Sequence, residues 1–358
     1  IDSAWYFYDE DGLKTVGKKN INGSTYYFNQ EGVMQTGWAF VDGHWNYFAS
    51  SGAMKTGWVK DQETWYYLDK DGIMLTGRQD INGVRYYLNA SGAMQTGWKW
   101  QDNSWYFYTN SGAMKTGWLK DKESWYYLDP ETGIMAVGSK EIDGKNYFFS
   151  SSGTMQVGWQ WANDGWHYYA TSGAMQTGWL KDRDTWYYLE AKEGTMLLGL
   201  HAVNGEQYYF STMGAMQTGW KWLDGQYRYF QPSGAMKTGW MKDQGSWYYL
   251  EKETGIMLVG LHVVNDQTYY FGPNGAMQTG WKQLDGNWYY FQTDGSLLKN
   301  AITPDGYRVN EEGIWKTADA IDNKEADKQA QNQEANSNIV EQEKQDSNLE
   351  ANASDKKE

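Results

Sequence analysis

Short runs of strand-forming residues alternate with polar turns along most of the chain, and the alternation repeats at a fixed spacing. A Gly recurs from Gly17, Gly37 and Gly57 through to Gly260 and Gly280, every 20 or 21 residues. Self-similarity at such a spacing marks an array of one small structural unit. The unit is clearest in Gly57-Trp58-Val59-Lys60-Asp61-Gln62-Glu63-Thr64-Trp65-Tyr66-Tyr67-Leu68, followed by a Gly-containing link ending in Gly72-Ile73-Met74. Strand formers on both sides of a polar turn predict a β-hairpin.

The turn residues set the register. Asp42-Gly43 and Asn82-Gly83 suit a two-residue type I′ turn, which needs positive φ at both central positions. Counting outward pairs Val41 with His44, Phe40 with Trp45 and Trp38 with Tyr47. Cross-strand partners share a face with residues two apart on either strand, so Trp38, Phe40, Trp45 and Tyr47 lie together, as do Trp98, Trp100, Trp105 and Phe107. The middle residues Tyr66, Tyr126, Tyr187 and Tyr248 point to the other face with Leu68, Leu128, Leu189 and Leu250, and we assign that face to the core between hairpins. A lone hairpin is marginal in water, so stacking of units must supply the stability. The expected fold is an all-β solenoid.

A longer period overlies the first. Trp follows the recurrent Gly at Trp38, Trp58, Trp98, Trp118, Trp159, Trp179, Trp220, Trp240 and Trp281, but every third unit carries Lys18, Arg78, Ser139, Leu200 or Leu261 there. The same units replace the second Trp by Thr25, Arg85, Asn146, Gln207 or Thr268. The array ends near Lys299. Residues 300–317, with Pro304-Asp305-Gly306-Tyr307 and Trp315, break the pattern and suggest a degenerate terminal cap. From Ala318 to Glu358 there is no aromatic residue, and burial there cannot offset the entropy of ordering, which predicts a disordered acidic tail or linker.

Composition narrows the chemistry. The chain has 22 Trp, 29 Tyr and no Cys, so disulfides and thiol chemistry are excluded. No apolar run is long enough to span a bilayer, and no signal-peptide pattern begins at Ile1. The net charge is −14, of which 318–358 contributes 11 acidic against 5 basic residues. Nucleic acid is therefore not expected as a partner, and a cationic ligand suits the field better. His44, His167, His201 and His262 are scattered, with no metal-ligand spacing. Acidic turns such as Asp9-Glu10-Asp11-Gly12 lack the twelve-residue calcium loop and read as turn chemistry. No catalytic or phosphate-binding motif occurs, so we expect no catalytic residues, no metal and no cofactor.

Two Trp seven residues apart on one hairpin face make two walls of a box, and the next hairpin can bring a third ring. Aromatic boxes recognise quaternary ammonium groups through the negative π-face. A purely structural role accounts poorly for two Trp vanishing together in every third unit while the Tyr-Tyr pair remains, because the packing need is the same in all units.

Gly-Ala-Met-Lys-Thr-Gly-Trp at Gly52–Trp58 and Gly112–Trp118, each followed by Lys-Asp-x-x-x-Trp-Tyr-Tyr-Leu, closely resembles the choline-binding repeats of cell-wall proteins from streptococci and their phages, autolysins included. The resemblance covers residues 1–299, about fifteen units. It implies a left-handed superhelix with about three hairpins per turn and an extracellular, wall-associated location. Choline or phosphocholine of teichoic and lipoteichoic acid would sit between successive hairpins against two Trp of the first and one Tyr of the second, often near a Met.

Carried over by position, the resemblance implies boxes from Trp38 and Trp45 with Tyr67, Trp58 and Trp65 with Tyr87, and Trp98 and Trp105 with Tyr127. Further boxes join Trp159 and Trp166 with Tyr188, Trp179 and Trp186 with Tyr209, and Trp240 and Trp247 with Tyr270. Two depart from the pattern: Trp118 and Trp125 meet Phe148, and Trp220 is paired with Tyr227 before Tyr249. Trp281 and Trp288 face the cap, and the sequence leaves open whether Tyr307 closes that box. With three hairpins per turn, the units lacking Trp fall on one blank stripe carrying Arg78, Arg85, His201 and His262, free of ligand or resting on a second domain of the parent protein. Glucan-binding repeats are the alternative reading, since Asn204-Gly205-Glu206-Gln207-Tyr208-Tyr209-Phe210 resembles them. Another is a targeting module of a wall hydrolase whose catalytic domain lies outside this chain.

Overall fold

A computed structural model describes residues 4–162 and 165–315. Among them there is no helix, and about fifteen two-stranded antiparallel hairpins follow one another, most with five-residue strands. The last and shortest pairs Ala301–Ile302 with Arg308–Val309. The expected tail from Ala318 onward, and the last two residues of the expected cap, lie outside the described residues. The chain divides into two compact units: one runs to Leu180 and takes in Tyr188–Met196, and the other comprises Lys181–Tyr187 and runs on from Leu197. The same hairpin pattern builds each.

The register follows from the turns. Asp42 and Gly43 sit at φ 53° and 80°, and the strands pair Val41 with His44, Phe40 with Trp45 and Trp38 with Tyr47. Where no Gly is present the chain still adopts the same turn, with Gln62 and Glu63 at φ 43° and 66°. Left-handed backbone costs an L-residue about 1 kcal/mol or more, so replacing Gln62-Glu63 by Asn-Gly is expected to stabilise that hairpin by about 1 kcal/mol. A chemical-denaturation midpoint that does not rise would contradict this.

Each link closes in a tight turn and then docks on the preceding hairpin. After the hairpin Gly57–Asp61/Thr64–Leu68, the Asp69 carboxylate accepts hydrogen bonds from the backbone N–H of Asp71 and Ile73 (2.9 and 2.8 Å). The Asp9 carboxylate likewise takes the N–H of Asp11 and Leu13, so the acidic turns spend their oxygens on their own backbone. The Met74 N–H then donates to the Trp45 carbonyl at 2.9 Å, and the Met94 N–H to that of Trp65 at 2.8 Å. Gly92, at φ +80°, lies where a Cβ would come within 2.3 Å of the Met74 sulfur. The repeated Gly thus makes the turn and leaves room for the repeated Met.

Within each unit the core is a column built from the last residue of each second strand. Phe48, Leu68, Leu88, Leu128, Phe149, Phe210, Leu250 and Phe291 are at most 1% exposed. Full burial of each such side chain stabilises by roughly 1.5–3 kcal/mol. Leu250 packs against Met241 and Met257, with Trp220, Tyr229 and Tyr248 around it.

Candidate functional site

The Trp-bearing face of one hairpin meets the reverse face of the next, and a concave aromatic corner forms between them. Trp58 and Trp65 stand at right angles (89°) with ring centroids 6.4 Å apart. Tyr86 of the following hairpin meets Trp58 edge-on at 4.8 Å. Together with Met94, Asn110 and Ser111 these rings line a cavity of about 350 Å³. The second ring keeps an open face: Trp65 is 41% exposed, and Trp45, Trp105, Trp125 and Trp247 are similarly exposed. Perpendicular indoles with one accessible π-face and a thioether beside them can hold a methylated ammonium by cation–π attraction.

The corner recurs. Trp118 and Trp125 lie 6.2 Å apart at 86° with Tyr147 4.9 Å from Trp118. Trp240 and Trp247 repeat this at 6.2 Å and 88° with Tyr269. Trp220 and Tyr227, the pair that departs from the sequence pattern, adopt the same geometry at 6.3 Å and 89°, with Tyr248 5.0 Å from Trp220. Trp38 meets Tyr66 at 4.7 Å, and Trp98 meets Tyr126 at 4.8 Å. Trp159, Trp166, Trp179 and Trp186 occupy the equivalent hairpin positions, with Trp166 and Trp186 exposed like their counterparts.

The ring that faces the Trp pair from the next hairpin is therefore the middle one of its triplet, one residue before the positions carried over from the resemblance. Tyr67, Tyr127, Tyr188 and Tyr249 each lie against the first Trp of their own hairpin, at 5.1–5.2 Å from Trp58, Trp118, Trp179 and Trp240. Tyr127 and Tyr249 are buried there. Tyr87, Phe148, Tyr209 and Tyr270, in hairpins without Trp, lean onward and lie near-parallel to Tyr108, Tyr169, Phe230 and Phe291 at 5.9–6.1 Å. The reason is strand alternation. A Trp face can touch only the reverse face of its neighbour, which holds the middle Tyr and the core Leu or Phe.

Two further features of the boxes escaped the sequence reading. The indole N–H groups of Trp38, Trp98 and Trp220 donate to the carboxylates of Asp61, Asp121 and Asp243 in the next hairpin at 2.9–3.0 Å. The Lys-Asp pair ending every such following strand was the available signal. Lys181 Nζ and Lys242 Nζ instead stand near the second Trp of their own hairpins, 6.0 and 5.8 Å from the Trp186 and Trp247 ring centroids.

Interfaces that follow a hairpin without Trp are closed by other side chains. The Arg78 guanidinium lies over the Tyr106 ring at 4.4 Å, bonds Gln101 through Nε at 3.0 Å and pairs with Asp102. Lys18 pairs with Asp42 at 3.6 Å. His201 and His262, at equivalent places, each bond the carbonyl three residues back at 2.8 Å. Of the five hairpins that follow one without Trp, three replace the middle Tyr, by the buried Asn46 and His167 and by Arg228, while Tyr106 and Tyr289 keep it.

At the end of the array Trp281 and Trp288 meet Tyr307 and Trp315, and the four rings line a cavity of about 390 Å³. Tyr307 thus does close the last box, 5.9 Å from Trp281 at 82°. Asp305 accepts from the Trp281 indole at 2.8 Å and from the Thr303 hydroxyl at 2.6 Å. The Thr303 hydrogen bond, then that of Trp281, holds the Asp305 carboxyl below its ordinary value. A lowered folded-state pKa means the contribution is complete above the unfolded value near 4 and is lost as pH falls through the folded one. Indole emission of the parent minus that of Asp305→Asn should stay constant from pH 8 to 5 and change only below about pH 4. A difference that varies near neutrality would refute this linkage.

Comparison with known proteins agrees with the repeat pattern. A family model described as the choline-binding repeat matches residues 15–57, 55–96, 75–115, 95–139, 136–175, 157–198, 217–260 and 258–301. Among solved structures, CbpJ from Streptococcus pneumoniae TIGR4 is 30% identical over 84% of this chain and 100% of its own, with a TM-score of 0.29. Choline binding protein F from S. pneumoniae, crystallised in the presence of a peptidoglycan analogue, is 30% identical over 84% and 98%, with a TM-score of 0.29. The modular autolysin LytC from S. pneumoniae is 23% identical over 68% of this chain and 52% of its own, with a TM-score of 0.33. No curated protein matches the chain. With family matches covering residues 15–198 and 217–301, across hairpins that carry the paired rings, this chain belongs to the choline-binding repeat family.

Proposed function

We propose that the chain is a non-catalytic anchoring module that holds its parent protein to the cell wall, outside the cell, by binding phosphocholine groups of teichoic and lipoteichoic acid. The supporting observation is the perpendicular ring pair with an exposed second face and the middle Tyr of the next hairpin, repeated along the array. Trp38, Trp45 and Tyr66, then Trp58, Trp65 and Tyr86, are the first two boxes under this reading. Tyr126, Tyr147, Tyr248 and Tyr269 close those begun by Trp98, Trp118, Trp220 and Trp240. Residues 1–299 act as the binding array, 300–317 as its cap and 318–358 as a linker or tail.

The magnitudes favour many weak sites over one strong one. A desolvated cation–π contact contributes roughly 2 kcal/mol, so three rings less the cost of ordering give about millimolar binding per box. A polymer bearing many choline groups can raise avidity by roughly 10² to 10⁴ over one box. Retention on a tertiary- or quaternary-amine choline-analogue resin, with elution by free choline, tests the reading. Passage through that resin with retention on dextran would replace it by the glucan-binding one. Wall-lytic activity of this chain alone would overturn the non-catalytic assignment.

A further inference from the structure

The last box differs from the others in one wall. In each regular repeat the link residue that docks on the carbonyl of the second ring is a Met, as Met94 on Trp65, Met155 on Trp125 and Met277 on Trp247. At the end of the array the Trp315 N–H makes that same bond to the Trp288 carbonyl at 2.9 Å. An indole therefore stands where a thioether stands elsewhere. Tyr307 is perpendicular both to Trp281 and to Trp315, at 82° and 88° with centroids 5.9 and 5.8 Å away. Four rings surround one cavity, and the ionised Asp305 sits at its edge, bonded to the Trp281 indole. The family matches end at residue 301, so Asp305, Tyr307 and Trp315 lie beyond them.

We propose that Trp281, Trp288, Tyr307 and Trp315 form a quaternary-ammonium site that binds more tightly than the boxes inside the array, with Trp315 as the residue that sets its affinity. The inference rests on the proposed choline-binding function and says which site of the array fills first. The physical reason is additive. A fourth π-face replaces a polarizable but uncharged thioether, and each ring adds cation–π attraction. The Asp305 carboxylate does not set this box apart, since Trp38, Trp98 and Trp220 make the same indole–carboxylate bond to Asp61, Asp121 and Asp243. The exchange of a thioether for an indole tightens the site by roughly tenfold relative to a Met-walled box.

The test is a choline titration of the full chain by calorimetry and indole fluorescence, beside Trp315→Met and Met94→Trp. The parent is expected to show one site about tenfold tighter than the rest. Trp315→Met should merge that site with the weaker class at unchanged stoichiometry, whereas Met94→Trp should create a second tight site in the interior. The interior variant keeps the test decisive if the end of the array does not tolerate Trp315→Met. Superimposable titrations for parent and Trp315→Met, or no second tight phase in Met94→Trp, would overturn the proposal while leaving choline binding intact. Absence of any choline binding in the parent would instead overturn the functional reading beneath it.

Discussion

Tyr86→Ala is expected to remove one choline site from the array, whereas Tyr87→Ala is expected to leave the number of sites unchanged and to lower stability. The two residues are neighbours with opposite orientations. Tyr86 presents its ring to Trp58 of the preceding hairpin at 4.8 Å and lines the cavity with Trp65 and Met94. Tyr87 lies near-parallel to Tyr108 at 6.1 Å, away from that cavity. Loss of one wall removes about 2 kcal/mol of cation–π attraction, weakening that box by roughly 30-fold and taking it out of the titration range. Loss of Tyr87 removes packing alone and costs about 2 kcal/mol. Calorimetric stoichiometry and a denaturation curve on each variant separate the outcomes. A lost site in Tyr87→Ala with full stoichiometry in Tyr86→Ala would reverse the assignment of the third wall.

This pair of residues also marks the boundary of what the sequence makes legible. The hairpins, their turns and their registers could be read directly, because Asp42-Gly43 and Asn82-Gly83 specify a turn whose geometry then determines every cross-strand partner. The first two walls of each box follow from that same register. The third wall does not, since it depends on how one hairpin is rotated onto the next, and no local rule encodes that rotation. Alternation alone had already placed Tyr66 with Leu68 on the face between hairpins. Tyr67, the position that the resemblance implies, lies one residue on, against Trp58 of its own hairpin, while Tyr66 meets Trp38. The Asp61 and Asp305 hydrogen bonds to indoles and the docking of Trp315 were hidden for the same reason, being contacts between units rather than within one.

Packing and binding share side chains here, and the second large effect comes from that overlap. Leu250 is 0% exposed, and its neighbours include Trp220 and Tyr248, two walls of the box that Tyr227 completes. Leu250→Ala is expected to cost about 2–5 kcal/mol through lost transfer energy and the cavity left behind. In a repeat array each unit leans only on its neighbours, so the loss should appear as an early, partial unfolding step rather than a uniform shift. Choline at tenfold its dissociation constant stabilises by roughly 1.4 kcal/mol for each site that unfolds with that step. Two or three such boxes offset most of the substitution, so thermal melts followed by near-ultraviolet circular dichroism should show the early step in buffer and its merger with the main transition in choline. A step that persists at saturating choline would mean that the boxes and the Leu250 column do not unfold together, and that ligand binding is not coupled to the core in this array.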